Sequence, residues 1–190
     1  MMQEVRTRLA TPLILVGVIW VAWFAEAMLP GNFRTWGILP RDIGGLPGIA
    51  TAPFVHGSVR HLIGNSLPLI ILGCLVNIYG RQFLRVTVIT ALVGGALTWL
   101  FARDAWHIGA SGLVFGYFGY LMARAWFTRT IAAILIAIPA FLLYGGSIIA
   151  GMLPSLTSRM SFEGHIFGLI GGIVAARMLA DKYRKISGPS

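Results

Sequence analysis

Six stretches of this chain are each long and apolar enough to cross a lipid bilayer, and that repetition limits the fold more than any other feature. A spanning helix needs roughly 17–25 mostly apolar residues. The stretches run over 12–29, 61–79, 83–101, 111–127, 131–150 and 164–180, and only Glu26, Arg85, Arg124 and Arg177 carry formal charge within them. Backbone groups facing lipid must be satisfied inside their own segment, so each stretch reads as an α-helix. The expected fold class is therefore an all-α membrane protein, a six-helix bundle forming one domain over residues 1–190. Pro68 and Pro139 interrupt two stretches, which is tolerable where neighbouring helices or water take up the freed carbonyl. Composition agrees: 57% of residues are hydrophobic, 11% are charged and the mean hydropathy is +0.80, more apolar than a soluble core requires.

The formal net charge of +9 raises a nucleic-acid reading, but the basic residues are scattered between apolar runs and form no stripe. They serve better as a topology signal and as attraction for anionic lipid. With the N-terminus inside, Arg6, Arg8, Arg81, Arg85, Arg124, Arg129, Arg177, Lys182, Arg184 and Lys185 fall on the cytoplasmic side. Arg34, Arg41, Arg60, Arg103 and Arg159 fall outside. This majority predicts cytoplasmic termini, and the expected location is a membrane of the bacterial cytoplasmic (inner) type. The N-terminal run, ending in Ala25-Glu26-Ala27, also fits a cleavable signal peptide, although it is long for a signal core. Residues 30–60 are rich in Pro and Gly yet carry Phe33, Trp36, Ile38, Leu39, Ile43, Leu46, Ile49, Phe54 and Val55. That mixture predicts a long first loop that is ordered and lies in the interface. Cys74 is the only cysteine, so no internal disulfide or paired-cysteine metal site is available, and it reads as a small buried hydrophobe.

With this topology the second, fourth and sixth spans all start at the outer face, and their first residues share a depth. His61 and Asn65 open the second, Ser111 the fourth and His165 the sixth. Polar side chains in spans are costly and face the bundle interior or a water-filled cavity. A serine becomes nucleophilic when a neutral histidine stands within about 2.6–3.2 Å to take its proton. Small-residue stripes at Gly112, Gly116 and Gly119, and at Gly168, Gly172 and Ala176, would let the two helices approach that closely. His61 and Asn65, four apart on one helical face, can donate with the Ser111 N–H to a tetrahedral oxyanion. Glu163 precedes His165 by two positions and so points elsewhere, and Glu26 can snorkel to the interface. A two-residue Ser–His dyad without a third carboxylate is the expectation. Taken singly, a Gly-Ala-Ser-Gly turn is usually an N-cap and an Asn in a span is often helix-to-helix glue. The shared depth is what joins them.

With these residues in place, the chain resembles the rhomboid family of intramembrane serine proteases. The matching stretches are His56-Gly57-Ser58-Val59-Arg60-His61-Leu62-Ile63-Gly64-Asn65, Gly109-Ala110-Ser111-Gly112, and Gly164-His165-Ile166-Phe167-Gly168 followed by Gly172. The resemblance implies a six-span rhomboid-like bundle, a nucleophile at Ser111, a general base and acid at His165, and oxyanion donors at His61 and Asn65. Gly109, Gly112 and Gly168 belong to the matched motifs, and His56 matches a motif histidine that helps hold the first loop or the cavity. Phe115 stands where the family often has a tyrosine against the catalytic histidine, which keeps the ring and loses the hydroxyl. Asn77 stands where many members carry a glutamate that ties loops together, so the inner-side network is in question.

The implied partners are transmembrane protein substrates and the bilayer, with cleavage in or near a substrate helix at small residues. The loop 151–163 would roof the site, and the fifth span, with Pro139 and Phe141, is the expected side of substrate entry. No nucleic acid, metal or cofactor is expected, because the four histidines have no plausible ligand set. Two other readings stay open: a small transporter or channel lined by His and Asn, and a catalytically inactive relative that binds membrane helices.

Overall fold

The computed structural model describes residues 2–78, 82–154 and 161–184. Its helices are α1 (Met2–Met28), the short α2 (Gly48–Thr51), α3 (Val59–Ile78), α4 (Phe83–Phe101), α5 (Ser111–Thr128), α6 (Ile131–Gly151) and α7 (Phe162–Arg184). Among the described residues there is no β-strand, only an isolated bridge between Ile38 and His107. Tyr79, Arg81, Arg159, Lys185 and the middle of the expected roof, residues 155–160, lie outside the described residues.

Five helical segments, Leu9–Met28, Val59–Ile78, Phe83–Phe101, Ile131–Gly151 and Phe162–Ala180, are long and apolar enough to cross a membrane, with mean hydropathies between 1.3 and 2.2. The fourth expected span forms a helix but does not join this group. Its glycines, tyrosines and Arg124 lower its hydropathy, and the fold explains why that is tolerated. α5 packs against α3, α4, α6 and α7, and every residue from Leu113 to Leu121 is buried. A helix wrapped by others needs less apolar character than one facing lipid. Tyr117 satisfies its hydroxyl against Thr87 Oγ1 at 2.7 Å, and Arg124 Nη1 donates to the Tyr120 hydroxyl at 3.2 Å.

Backbone proximity between α5 and α7 organises the bundle. A methyl group added at Gly168 would lie 2.9 Å from the Gly112 Cα, and one at Gly172 would lie 2.8 Å from the Gly116 Cα. Gly119 faces the Leu169 carbonyl at 2.6 Å on the same measure. Both expected stripes therefore meet, and Ala176 is fully buried beside them. A third stripe was not anticipated: Gly94 on α4 faces the Phe167 carbonyl, and Gly171 faces the Thr90 carbonyl. α7 is thus held tightly on two sides.

Other helices use side chains. α1 begins ahead of Pro12, which sits buried inside the helix, 3.1 Å from where a Gly73 methyl would stand. Trp20 Nε1 donates to Ser66 Oγ at 3.0 Å. At the inner end Asn77 donates to Thr11 Oγ1 at 2.9 Å and accepts the Phe83 N–H at 3.3 Å. The amide thus ties three helices without a carboxylate. The first loop is ordered by short 3-10 turns at Phe33–Trp36, Ile43–Gly45 and Ala52–Phe54 around α2. Arg41, with φ 59°, docks it on the end of α4: its N–H meets the Trp99 carbonyl at 2.9 Å and its Nη1 the Ala102 carbonyl at 2.6 Å.

Substitution of Gly172 by Ala should lower thermal stability in detergent by the equivalent of about 1–3 kcal/mol, the usual range for overpacking. Gly146, with nothing near its would-be methyl, is the control. Gly146→Ala should be neutral or stabilising by up to about 1 kcal/mol, as expected for Gly to Ala in a helix interior.

Candidate active site

The segment leading into α5 is shaped by glycine. Gly109 has φ +108°, a region L-residues avoid, and its N–H donates to the Ala52 carbonyl at 2.9 Å. A side chain there would also strike the His61 ring, whose Nε2 lies 2.8 Å from the would-be Cβ. The turn therefore delivers Ser111 as the first residue of α5 while seating the His61 imidazole against the loop. Being in the first turn, the N–H groups of Ser111 and Gly112 have no partner within the helix.

Ser111 Oγ and His165 Nε2 are 2.8 Å apart. On the other side of the ring, Nδ1 is 2.7 Å from the Gly151 carbonyl. A carbonyl only accepts, so Nδ1 carries the proton, and Nε2 is left as the acceptor for the Ser111 hydroxyl. The Phe115 ring stacks on His165 with centroids 4.1 Å apart and planes 9° from parallel. Gly112 and Gly168 lie at the same crossing, and His165 is buried.

A second group adjoins this pair on the α3 side. Asn65 Nδ2 is 3.1 Å from His56 Nε2, and the Ala110 N–H reaches the same nitrogen at 3.4 Å. The His56 and His61 rings are 5.0 Å apart. His56 thus contacts both Asn65 and the residue before Ser111. On the α4 side lies a cavity of about 60 Å³, lined by Ser111, Gly109, Thr90, Thr98, His107 and Ser161 among others. That is room for a few water molecules. Glu163 pairs with Arg103, Oε1 to Nε at 3.5 Å. Among the described residues no group of three or more His, Cys, Asp or Glu could hold a metal ion.

Two features had little sequence signal. The Gly151 carbonyl belongs to the backbone, which every residue has. His107 lies beside the Gly109–Gly112 motif without being part of it, and its Nδ1 is 2.5 Å from Ser161 Oγ.

Burial pushes His56 down to about 4, assisted by the charge of His61. His107 is also lowered, first by burial.

Residues 44–182 match the family described as Rhomboid domain, and the chain belongs to the rhomboid family. It is 33% identical over 184 residues to an uncharacterized protein of Mycobacterium tuberculosis strain H37Rv, covering 92% of this chain and 76% of that one. It is 25% identical over 142 residues to a putative rhomboid protease of Bacillus subtilis, YdcA, covering 70% of this chain and 67% of that one. Rhomboid protease GluP of the same organism is 32% identical over 138 residues, 69% of this chain but 25% of GluP. With its several long apolar helices, the chain is a multi-pass integral membrane protein.

The depressed His56 value has a measurable consequence. Between about 4 and the ordinary imidazole value of about 6.5 the unfolded chain binds a proton that the folded one refuses. Stability is therefore greatest above that window and falls as pH drops through it. Thermal melts in detergent should show a lower midpoint at pH 4.5 than at pH 7, with a shallower fall in His56→Asn.

Proposed function

We propose that this protein is an intramembrane serine endopeptidase that cleaves transmembrane proteins with a Ser111–His165 dyad. The observation that carries the reading is the 2.8 Å contact between Ser111 Oγ and an imidazole whose other nitrogen is held by the Gly151 carbonyl. Hydroxyl, base and orienting group occupy the relation that nucleophilic catalysis requires. Membership of the rhomboid family supports the same class of chemistry.

In this mechanism Ser111 Oγ attacks a peptide carbonyl and its proton passes to His165 Nε2. The tetrahedral oxyanion is received by the Ser111 N–H, by the Asn65 amide and by His61. The peptide C–N bond breaks as His165 donates its proton to the departing amine. Water then attacks the acyl ester, His165 removes its proton, and the Ser111 hydroxyl is restored as the new carboxylate leaves. One oxyanion donor is typically worth about 2.7–4 kcal/mol in such a transition state. Gly109 and Gly112 keep the approach to Ser111 open, Gly168 lets α7 come close, and His56 orients Asn65. Phe115 fixes the plane of the base.

On this reading α5 is the fourth of six spans, sheltered by α3, α4, α6 and α7, with both termini on the cytoplasmic side of a bacterial inner membrane. Substrate enters beside α6, which packs chiefly on α5 and exposes Phe141, Leu142 and Leu143. A transmembrane helix that unwinds locally, with small residues near the cut, suits such a gate.

Ser111→Ala should abolish cleavage of a membrane-anchored reporter and labelling by a fluorophosphonate while leaving the melting temperature nearly unchanged. Full activity in that variant would refute the assignment. Cleavage should also fall once the pH is low enough to protonate His165, because a base must be neutral. A single-turnover profile with no acidic limb down to the pH at which the protein unfolds would count against His165 as base.

A further inference from the structure

We infer that His107 is a positioning residue for the dyad, a neutral two-headed spacer that clamps the first turn of α7 to the loop feeding Ser111. The inference rests on the protease reading above and concerns how its two reacting groups are kept in register.

His107 lies four residues before Ser111. Its backbone is fixed by paired hydrogen bonds to Ile38 of the first loop, both 2.9 Å, and its side chain is buried. Nε2 is 3.1 Å from the Arg103 carbonyl, which can only accept, so that nitrogen holds the proton. Nδ1 is then bare and accepts the Ser161 hydroxyl. Ser161 is thereby left with its oxygen lone pairs for α7. Its Oγ takes the Gly164 N–H at 3.0 Å, and its carbonyl takes the N–H of His165 itself at 3.2 Å. One imidazole thus links the segment before the nucleophile to the helix turn that carries the base.

The neighbouring residues repeat the connection. The Arg103 guanidinium lies 5.4 Å from the centre of the Phe162 ring, and Glu163 Oε1 receives the Arg103 N–H at 3.4 Å and faces its Nε at 3.5 Å. Ser161, Phe162 and Glu163 in succession therefore grip residues 103–107. A half-exposed ion pair alone contributes little rigidity. The buried His107–Ser161 bond is the part able to fix a distance. A misplacement of about 1 Å in a reacting pair can cost on the order of a hundredfold in rate.

The test compares full-length His107→Phe, His107→Asn, Ser161→Ala and the Phe/Ala double variant in proteoliposomes, using a membrane-anchored reporter and fluorophosphonate labelling of Ser111. His107→Phe keeps a ring and loses both nitrogens, and should lower kcat and the labelling rate ten- to hundredfold with KM within about twofold. Asn carries its amide oxygen at the same remove from Cβ as Nδ1, so His107→Asn should recover most of the loss. The double variant should be no slower than the slower single one, since either change breaks the same link. Should the Phe variant fail to fold, Ser161→Ala against His107→Asn carries the comparison, with Ser161→Ala slow and Asn near wild type. An unchanged kcat in His107→Phe or Ser161→Ala, an Asn variant as slow as Phe, or losses that multiply in the double variant would overturn the inference. A wild-type protein that neither cleaves nor labels at Ser111 would instead remove the protease reading, and this inference with it.

Discussion

Everything in the bundle depends on two helix backbones being allowed to touch. α5 and α7 cross at Gly112, Gly116, Gly168 and Gly172, and a side chain at Gly116, Gly168 or Gly172 would press on the opposing main chain. Without hydrophobic force between helices in lipid, close packing and hydrogen bonds must hold them together, and close packing is what glycine permits. The same approach brings a serine at the first position of one helix within 2.8 Å of a histidine near the start of the other. Packing and proposed chemistry are one constraint, because a helix separation that relaxed the glycines would also separate the two groups.

That constraint was partly visible in the sequence. Apolar runs of spanning length announce themselves, since lipid demands both length and composition. The stripes on the fourth and sixth runs could be seen because glycines at spacings of three and four stand out in an apolar helix. The central position of α5 was less accessible. Its lower hydropathy does not reveal that α3, α4, α6 and α7 surround it. Gly94 and Gly171 give no such signal, as their significance lies in which backbone they face across α4 and α7.

The candidate site was legible to a similar depth. Ser111, His165, His61 and Asn65 carry distinctive side chains at matching positions, so their grouping could be anticipated from topology. What the structure adds is made of backbone and relay. The Gly151 carbonyl on His165 has no signature in a sequence, because every residue has a carbonyl. His56 reads as a holder of the first loop or of the cavity, and the sequence does not show that its Nε2 lies between Asn65 and the Ala110 N–H. His107 sits outside every motif, and its link to Ser161 spans 54 positions.

Among the described residues the ring nitrogens of His165 meet the Gly151 carbonyl and Ser111 Oγ, not a carboxylate, which sets a further requirement on the proposed mechanism. When the imidazole takes the serine proton it becomes a cation in a low-dielectric setting, where an unpaired charge is costly. The Gly151 carbonyl offers only a dipole, weaker than the buried aspartate of a triad. Phe115 stacks on the ring at 4.1 Å, and an aromatic face near a desolvated cation can contribute on the order of 2 kcal/mol. The electron-rich face and the carbonyl therefore act at the same stage, after proton transfer, which is where stabilisation speeds the chemical step instead of merely tightening binding. A ring at position 115 retains this role without a hydroxyl, so the phenylalanine is compatible with catalysis and shifts the load from hydrogen bonding to the π-face.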